Sequence, residues 1–218
     1  MTANIFLPNN YAIFALEKDN VNCMKRHLKF PALLVSIALA GTAIACGNTS
    51  TTKTEKVEGI EWNVTVCKSV SFNDSLTGVN TDAIYTVADT ATINQKLLGV
   101  KPENLTIDWT IPGADGRIWL VAYENEPILN EKVKVTDANS MPSYGGNIQV
   151  AFKFADAKKW ETITQENIGK RLALFVNGQL MNAPQVNTEI TSGSCSVSIP
   201  ADKIHEYLPD LDLEKLKQ

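Results

Sequence analysis

The segment 171–187, RLALFVNGQLMNAPQVN, constrains the fold more than any other stretch. Asn177-Gly178 stands between two apolar runs, and this pair supplies both positive-φ positions of a type I′ turn, so RLALFV and QLMNAPQV read as a hairpin. Pro184 has no amide to offer a neighbouring strand, which places the end of the second strand, or a sheet edge, near Ala183-Pro184. Upstream, residues 147–154 alternate Ile148, Val150, Phe152 and Phe154 against Gln149, Ala151 and Lys153, a strand with one apolar face. Asp156 then caps a helix that turns Trp160, Ile163 and Ile168 inward and stops at Gly169, with Lys158, Lys159, Glu161, Gln165 and Glu166 on its wet side. These elements predict an α+β fold: an antiparallel sheet with one main helix packed on a face.

Other elements extend the sheet. Residues 60–70 alternate Ile60, Trp62, Val64 and Val66 against polar neighbours and read as a half-buried strand, 71–82 as loop, and 83–88 as a short strand. Asp89 or Thr90 caps a short helix ended by Gly99 in left-handed geometry. Residues 104–111 and 116–124 form a hairpin around Pro112, Asp115 and Gly116. Residues 131–138 add to this sheet, 139–146 form a dividing loop, and 192–200 return as a strand. Trp62, Trp109, Trp119 and Trp160 each sit in a periodic segment and are assigned to the core.

The N-terminal third has a different character. Lys25, Arg26, His27 and Lys29 precede an apolar run, 30–40, which passes through small residues to Cys46, the layout of a secretory signal. Ala43, Ile44 and Ala45 before Cys46 resemble the lipobox of bacterial lipoproteins, with Ala43 where that family usually has Leu. The resemblance implies acylation of Cys46 and a membrane anchor of several chains, and Gly47 in place of Asp implies the outer membrane. An ordinary signal peptide with a coincidental cysteine, and a short membrane helix, are the other readings. Met24 begins a complete signal by itself, so residues 1–23 are assigned to a mis-assigned extension and 24–45 to the signal. Residues 46–58 follow as a polar tether, 59–116 as a strand-rich region, and 117–218 as the main domain with its C-terminal segment.

Charge and cysteine usage narrow the functional classes. The chain carries a net charge of −4, and loss of residues 1–45 takes away four Lys/Arg and two Asp/Glu, leaving 16 against 22, a net −6. That balance gives no basic stripe for a nucleic acid, which is excluded as a partner. Cys67 and Cys195 both fall in strand-like runs; a bridge between them and two buried free thiols both remain open. No Cys/His spacing suggests zinc and no motif calls for a cofactor. His205, in a polar C-terminal segment, is the one histidine after Cys46, and no nucleophile elbow, phosphate loop or carboxylate pair accompanies it, so no enzymatic activity is expected. Asp74-Ser75-Leu76 and Asp89-Thr90-Ala91 match an acceptor pattern for O-linked saccharide in some Gram-negative envelope proteins, against solvated loop and helix cap as the plain readings.

Residues 157–198 resemble the head of the first periplasmic domain of SecD and SecDF, accessory subunits of the bacterial export channel. The motif runs through Thr164, Asn167, Gly169, Lys170, Leu172 and Ala173, then Asn177 and Gly178, then Ala183, Pro184 and Asn187, and ends in Ser192, Gly193 and Ser194, with Ser192 in place of a usual glycine. The resemblance spans 117–199 and implies the head fold without the charged membrane helices of the export motor. The function expected from it is a non-catalytic envelope module that binds a polypeptide or an envelope protein at an exposed edge near residues 181–186. A structural lipoprotein without soluble ligand, and an enzyme with a hidden site, are the competing classes.

Overall fold

A computed structural model describes residues 54–57, 59–100, 102–141 and 146–211. Cys46, the expected leader and most of the expected tether lie outside the described residues. The first half builds β1 (Thr54–Lys56), β2 (Glu61–Val70), β3 (Asn73–Asp74), β4 (Val79–Asn80), β5 (Ile84–Thr86), α1 (Thr90–Leu97), β6 (Leu105–Trp109) and β7 (Arg117–Glu124). The second half builds β8 (Leu129–Met141), β9 (Asn147–Lys153), α2 (Ala157–Glu166), β10 (Leu172–Val176), β11 (Gln179–Asn182), β12 (Ser194–Pro200) and α3 (Ile204–Tyr207). The α+β expectation holds, with the main sheet in the order β11-β10-β2-β8-β9-β12 and every pairing antiparallel.

One face of this sheet carries α2 and the main core. Asp156 accepts a hydrogen bond from the Lys159 amide at 2.9 Å, satisfying one of the orphan donors at the helix start. Trp160 and Ile163 are buried below it. An aromatic chain continues the contact: Trp160 to Phe154 at 4.4 Å, Phe154 to Phe152 at 5.6 Å, and Phe152 to Trp62 of β2 at 5.9 Å between ring centroids. Such tilted and edge-on pairs stabilise by about 0.5–1.5 kcal/mol each beyond their area.

The other face is closed differently. The end of β2 pairs with β7 through Ser69–Tyr123 and Val70–Ala122, and β7 pairs with β6 through Leu120–Glu124 and with β5 through Arg117–Trp119. Beyond β6, the Ile111 amide donates to the Leu180 carbonyl of β11 at 3.1 Å. The hydrogen-bonded neighbours β10, β2, β7, β6 and β11 therefore form a ring around Cys67, Val121, Ala173, Phe175 and Leu180. Between two apolar layers, all five residues of β10 are buried. A third cluster, Val79, Ile93 and Leu120, fixes α1 and the β3–β4 turn outside β7.

Several expectations need correction. The bridge between Cys67 and Cys195 does not form: both thiols are free and buried. Cys67 lies in the ring cluster and Cys195 in the main core, on β2 and β12, which β8 and β9 separate. Three strand spacings place them about 14 Å apart, whereas a disulfide needs Cα atoms within about 7 Å. The tether expected through residue 58 already contains β1, paired with β8. The loop assigned to 139–146 begins later, because Asn139, Ser140 and Met141 continue β8 in register with β9. Residues 71–82 contain the two-residue strands β3 and β4. Gly99 does not take left-handed geometry. Ile168 lies past the end of α2 and is exposed. The C-terminal segment is not wholly polar in environment: Ile204, Leu208 and Leu211 are buried in the main core, and the Tyr207 carbonyl accepts from the Trp62 indole at 3.1 Å.

Candidate functional site

The segment that carries the sequence motif divides into a scaffold and a rim. Thr164 is wholly buried; its hydroxyl accepts from the Ile190 amide at 2.9 Å and bonds back to the helix carbonyls of Trp160 and Glu161 at 3.0 Å. Asn167, also buried, closes the last turn of α2 by donating from Nδ2 to the Ile163 carbonyl at 2.8 Å. Thr164 thus pins the helix to the chain that follows, and Asn167 closes its end. Asn177 and Gly178 take φ of 50° and 83°, as a type I′ turn requires, and Val176 pairs with Gln179 across it. The Asn177 amide donates to the Asn63 carbonyl at 2.8 Å and its side-chain oxygen accepts from the Asn63 amide at 2.9 Å, which locks the hairpin tip onto β2.

Past the turn the hairpin changes character. An extra residue at Met181 shifts the register, since Phe175 pairs with Leu180 but Leu174 with Asn182. β11 ends there. The chain runs on beside β10 through bonds from the Leu172 amide to the Pro184 carbonyl, from the Val186 amide to the Lys170 carbonyl, and from the Gly169 amide to the Val186 carbonyl, 2.8–3.1 Å. Pro184 is buried and has no amide with which to return the Leu172 bond, which is why the regular ladder stops. Asn187 is exposed.

The expected free edge over 181–186 is therefore mostly used. Leu180 is bonded to Ile111, while Met181, Pro184 and Val186 are buried. Because Pro184 and Val186 turn their backbone groups toward β10, the intervening Ala183 and Gln185 turn theirs outward. Both line a pocket of about 170 Å³, together with Gly169 and Arg171 of the motif segment.

The rest of the pocket comes from the N-terminal region and β7: Ser69, Ser71, Thr81 and Asp82, with Leu120 and Val121 as apolar floor. It occupies the end of the ring where β2 and β11 finish and β10 begins. Its polar groups are held from behind. Ser69 donates its amide hydrogen to the Arg171 carbonyl at 3.0 Å and its hydroxyl to the Ala122 carbonyl at 3.2 Å. Ser71 donates to Asp82 at 3.1 Å, Thr81 both accepts from the Phe72 amide and donates to its carbonyl, and the Gln185 side chain donates to the Gly169 carbonyl at 3.0 Å. Among the described residues the Arg171 guanidinium has no partner, so the mouth offers one uncommitted cation and one carboxylate, Asp82.

Chemically the mouth sets hydrogen-bonding groups around an apolar floor. The two serine hydroxyls donate to a carbonyl and a carboxylate, so neither is held against a general base of the histidine kind. At about 170 Å³ the space is below the roughly 300–1,000 Å³ of small-molecule sites and suits a single side chain. Gln185 falls within the edge expected from the sequence, whereas Arg171 is not singled out by it, and neither could be joined from sequence to Ser69, Ser71 or Asp82. The usable signal was the alternation of Ala183 and Gln185 around a proline.

Comparison with known proteins places this segment. The sequence profile of the SecDF P1 head subdomain matches residues 110–202. The protein translocase subunit SecDF of Thermus thermophilus is 36% identical over 73 residues, 33% of this chain and 10% of that one. The protein translocase subunit SecD of Leptotrichia buccalis is 29% identical over 100 residues, 46% of this chain and 24% of that one. A crystal structure of SecDF in its super-membrane-facing form aligns over 67% of this chain and 17% of its own, with 22% identity and a TM-score of 0.33. The chain thus spans between a tenth and a quarter of the two curated relatives described. Residues 110–202 form a SecD head-like domain, and β2, which lies outside the matched residues, occupies the centre of its sheet.

Proposed function

We propose that this chain is a non-catalytic module of the bacterial cell envelope that holds an extended polypeptide at the mouth around Arg171, Asp82, Ala183 and Gln185, in the service of protein export. The observation that carries this reading is the outward-facing backbone of Ala183 and Gln185 beside a polar pocket sized for one side chain. Extended chains are recognised in this way, main-chain bonds supplying affinity and a pocket supplying selectivity. The relatives' role as translocase subunits supports the same class of partner. A photo-crosslinking residue at position 185 should capture an exporting polypeptide in intact cells, and one at Lys159 on the exposed side of α2 should not. Equal capture from both positions would contradict the reading.

The module is tethered, in this proposal, by acyl chains on Cys46 at the outer membrane. No helix among the described residues is long and apolar enough to cross a membrane. More than one acyl chain gives stable anchoring, where one is marginal. Cys46→Ser should abolish metabolic labelling by palmitate and free the chain from the membrane fraction; labelling that persists would remove the anchor from the account.

A further inference from the structure

The tip of the β3–β4 turn, Ser75 and Leu76, is exposed and lines neither the polypeptide mouth nor a core cluster. Between Ser71 and Thr90 the chain has seven hydroxyl side chains, and six of them donate to a named acceptor: Ser71 to Asp82, Thr77 to Asp74, Thr81 to Phe72, Tyr85 to Asn80, Thr86 to Asp89 and Thr90 to Val87. Ser75 alone has no partner among the described residues, and it is exposed at the tip of the turn. Its neighbours are arranged around it. Asp74 accepts from the Leu76 amide at 3.0 Å and the Thr77 hydroxyl at 2.8 Å, so the turn is held in one shape, and Leu76 is 95% exposed and contributes nothing to packing. The second match to the same three-residue pattern, Asp89-Thr90-Ala91, lacks these properties: Thr90 opens α1, is half-buried, and spends its hydroxyl on the Val87 carbonyl at 2.7 Å.

We propose that Ser75 is an acceptor for an O-linked saccharide, and that Thr90 is not. A transferase must bring the acceptor oxygen against an anomeric carbon in line with a leaving group, which demands a projecting hydroxyl with open space on both flanks. Ser75 in its fixed turn meets that demand, with the Leu76 side chain free to be gripped. The donor class is an oligosaccharide carried on a polyprenyl diphosphate. The Ser75 oxygen forms the new bond to the anomeric carbon, the bond from that carbon to the diphosphate oxygen breaks with its electron pair staying on the diphosphate, and the serine proton passes to a base of the transferase. The product carries a polar, bulky group on the turn and leaves the mouth untouched. This inference rests on the envelope location proposed above.

The test is mass spectrometry of the full chain purified from the bacterium that encodes it, with fractionation of the same cells. Lys68 and Lys96 bound a tryptic peptide, 69–96, that contains both candidate hydroxyls. The wild type and Thr90→Val should carry a saccharide mass increment on this peptide, localised to Ser75 by fragmentation; Ser75→Ala should lose it, and Ser75→Thr should regain it. Ser75→Ala should also keep the wild-type Tm, since the hydroxyl bonds to nothing. An unmodified 69–96 peptide from envelope-located protein overturns the acceptor proposal alone, as does an increment that persists in Ser75→Ala. An unmodified peptide from protein found in the cytosolic fraction overturns it together with the envelope reading.

Discussion

The amide of Ile111, just beyond β6, donates to the carbonyl of Leu180 in β11 at 3.1 Å, and this one bond joins the two ends of the five-stranded ring. It also occupies the outer edge of β11, so an incoming chain must bind past Met181 rather than along the strand. Ile111→Pro removes the donor. We expect a loss of about 1–2 kcal/mol in stability, with faster amide exchange in β6 and β11 and unchanged exchange in α2. Exchange unchanged in β11 would show that the ring does not depend on this bond.

Two glycines of the matched segment separate backbone strain from steric exclusion. Gly178 has φ of 83° with nothing within 4 Å of an added Cβ, whereas Gly193 has φ of 69° and would place a Cβ 3.0 Å from that of Ala157 at the start of α2. Gly178→Ala should cost about 1 kcal/mol and Gly178→Val about 1–3 kcal/mol. Gly193→Ala adds the clash and should cost about 2–4 kcal/mol. Chemical denaturation compares them, and equal losses for the two alanine variants would remove the close approach of the 193 turn to α2.

Acid acts on the outer layer through Asp74 and Asp89. The Thr77 hydroxyl and the Leu76 amide hold the Asp74 carboxyl below its ordinary range, and the Thr86 amide and hydroxyl do the same for Asp89. A carboxylate depressed in the fold contributes stability above its unfolded value, about 3.9, and loses it as pH falls through the lower folded value. Amide protection at Leu76 and Thr86 should therefore decline below about pH 4, and Asp74→Asn should abolish the Leu76 part of that decline. Protection that rises on acidification would contradict the assignment.

Burial governs the two thiols. It pushes Cys195 up to about 12 and raises Cys67, with Glu124 adding to the latter. Since the thiolate is the reactive form, iodoacetamide at pH 8 should leave both unmodified in the native protein and modify both after denaturation. Recovery of a disulfide-linked pair of peptides containing Cys67 and Cys195 would contradict their separation across the sheet.

Short-range signals made much of this fold legible. Asp156 and the alternation of 147–154 announce α2 and β9, and Asn177-Gly178 announces the β10–β11 turn, because each is decided by neighbours a few residues away. What stayed hidden is what distant chain segments decide. Nothing in residues 60–70 says that β2 lies between β10 and β8, or that β8 and β9 then keep Cys67 from Cys195. The buried β10 reads as any apolar run, although two layers cover it. Ile168 fits a helical period but falls past the turn that Asn167 closes. The mouth was half legible: Gly169 and Ala183 belong to the motif, while Ser69, Ser71 and Asp82 arrive only through pairing of β2 with β7 and of the β3–β4 turn with its surroundings.

The most direct test of the polypeptide mouth is an amide-shift titration of the isotope-labelled protein with a reduced, alkylated unfolded protein. The account predicts shifts at Ser69, Ser71, Arg171, Ala183 and Gln185, and about tenfold weaker binding for Arg171→Ala with an unchanged Tm, a loss of about 1.4 kcal/mol. Shifts confined to the exposed side of α2, or unaltered affinity in Arg171→Ala, would contradict it.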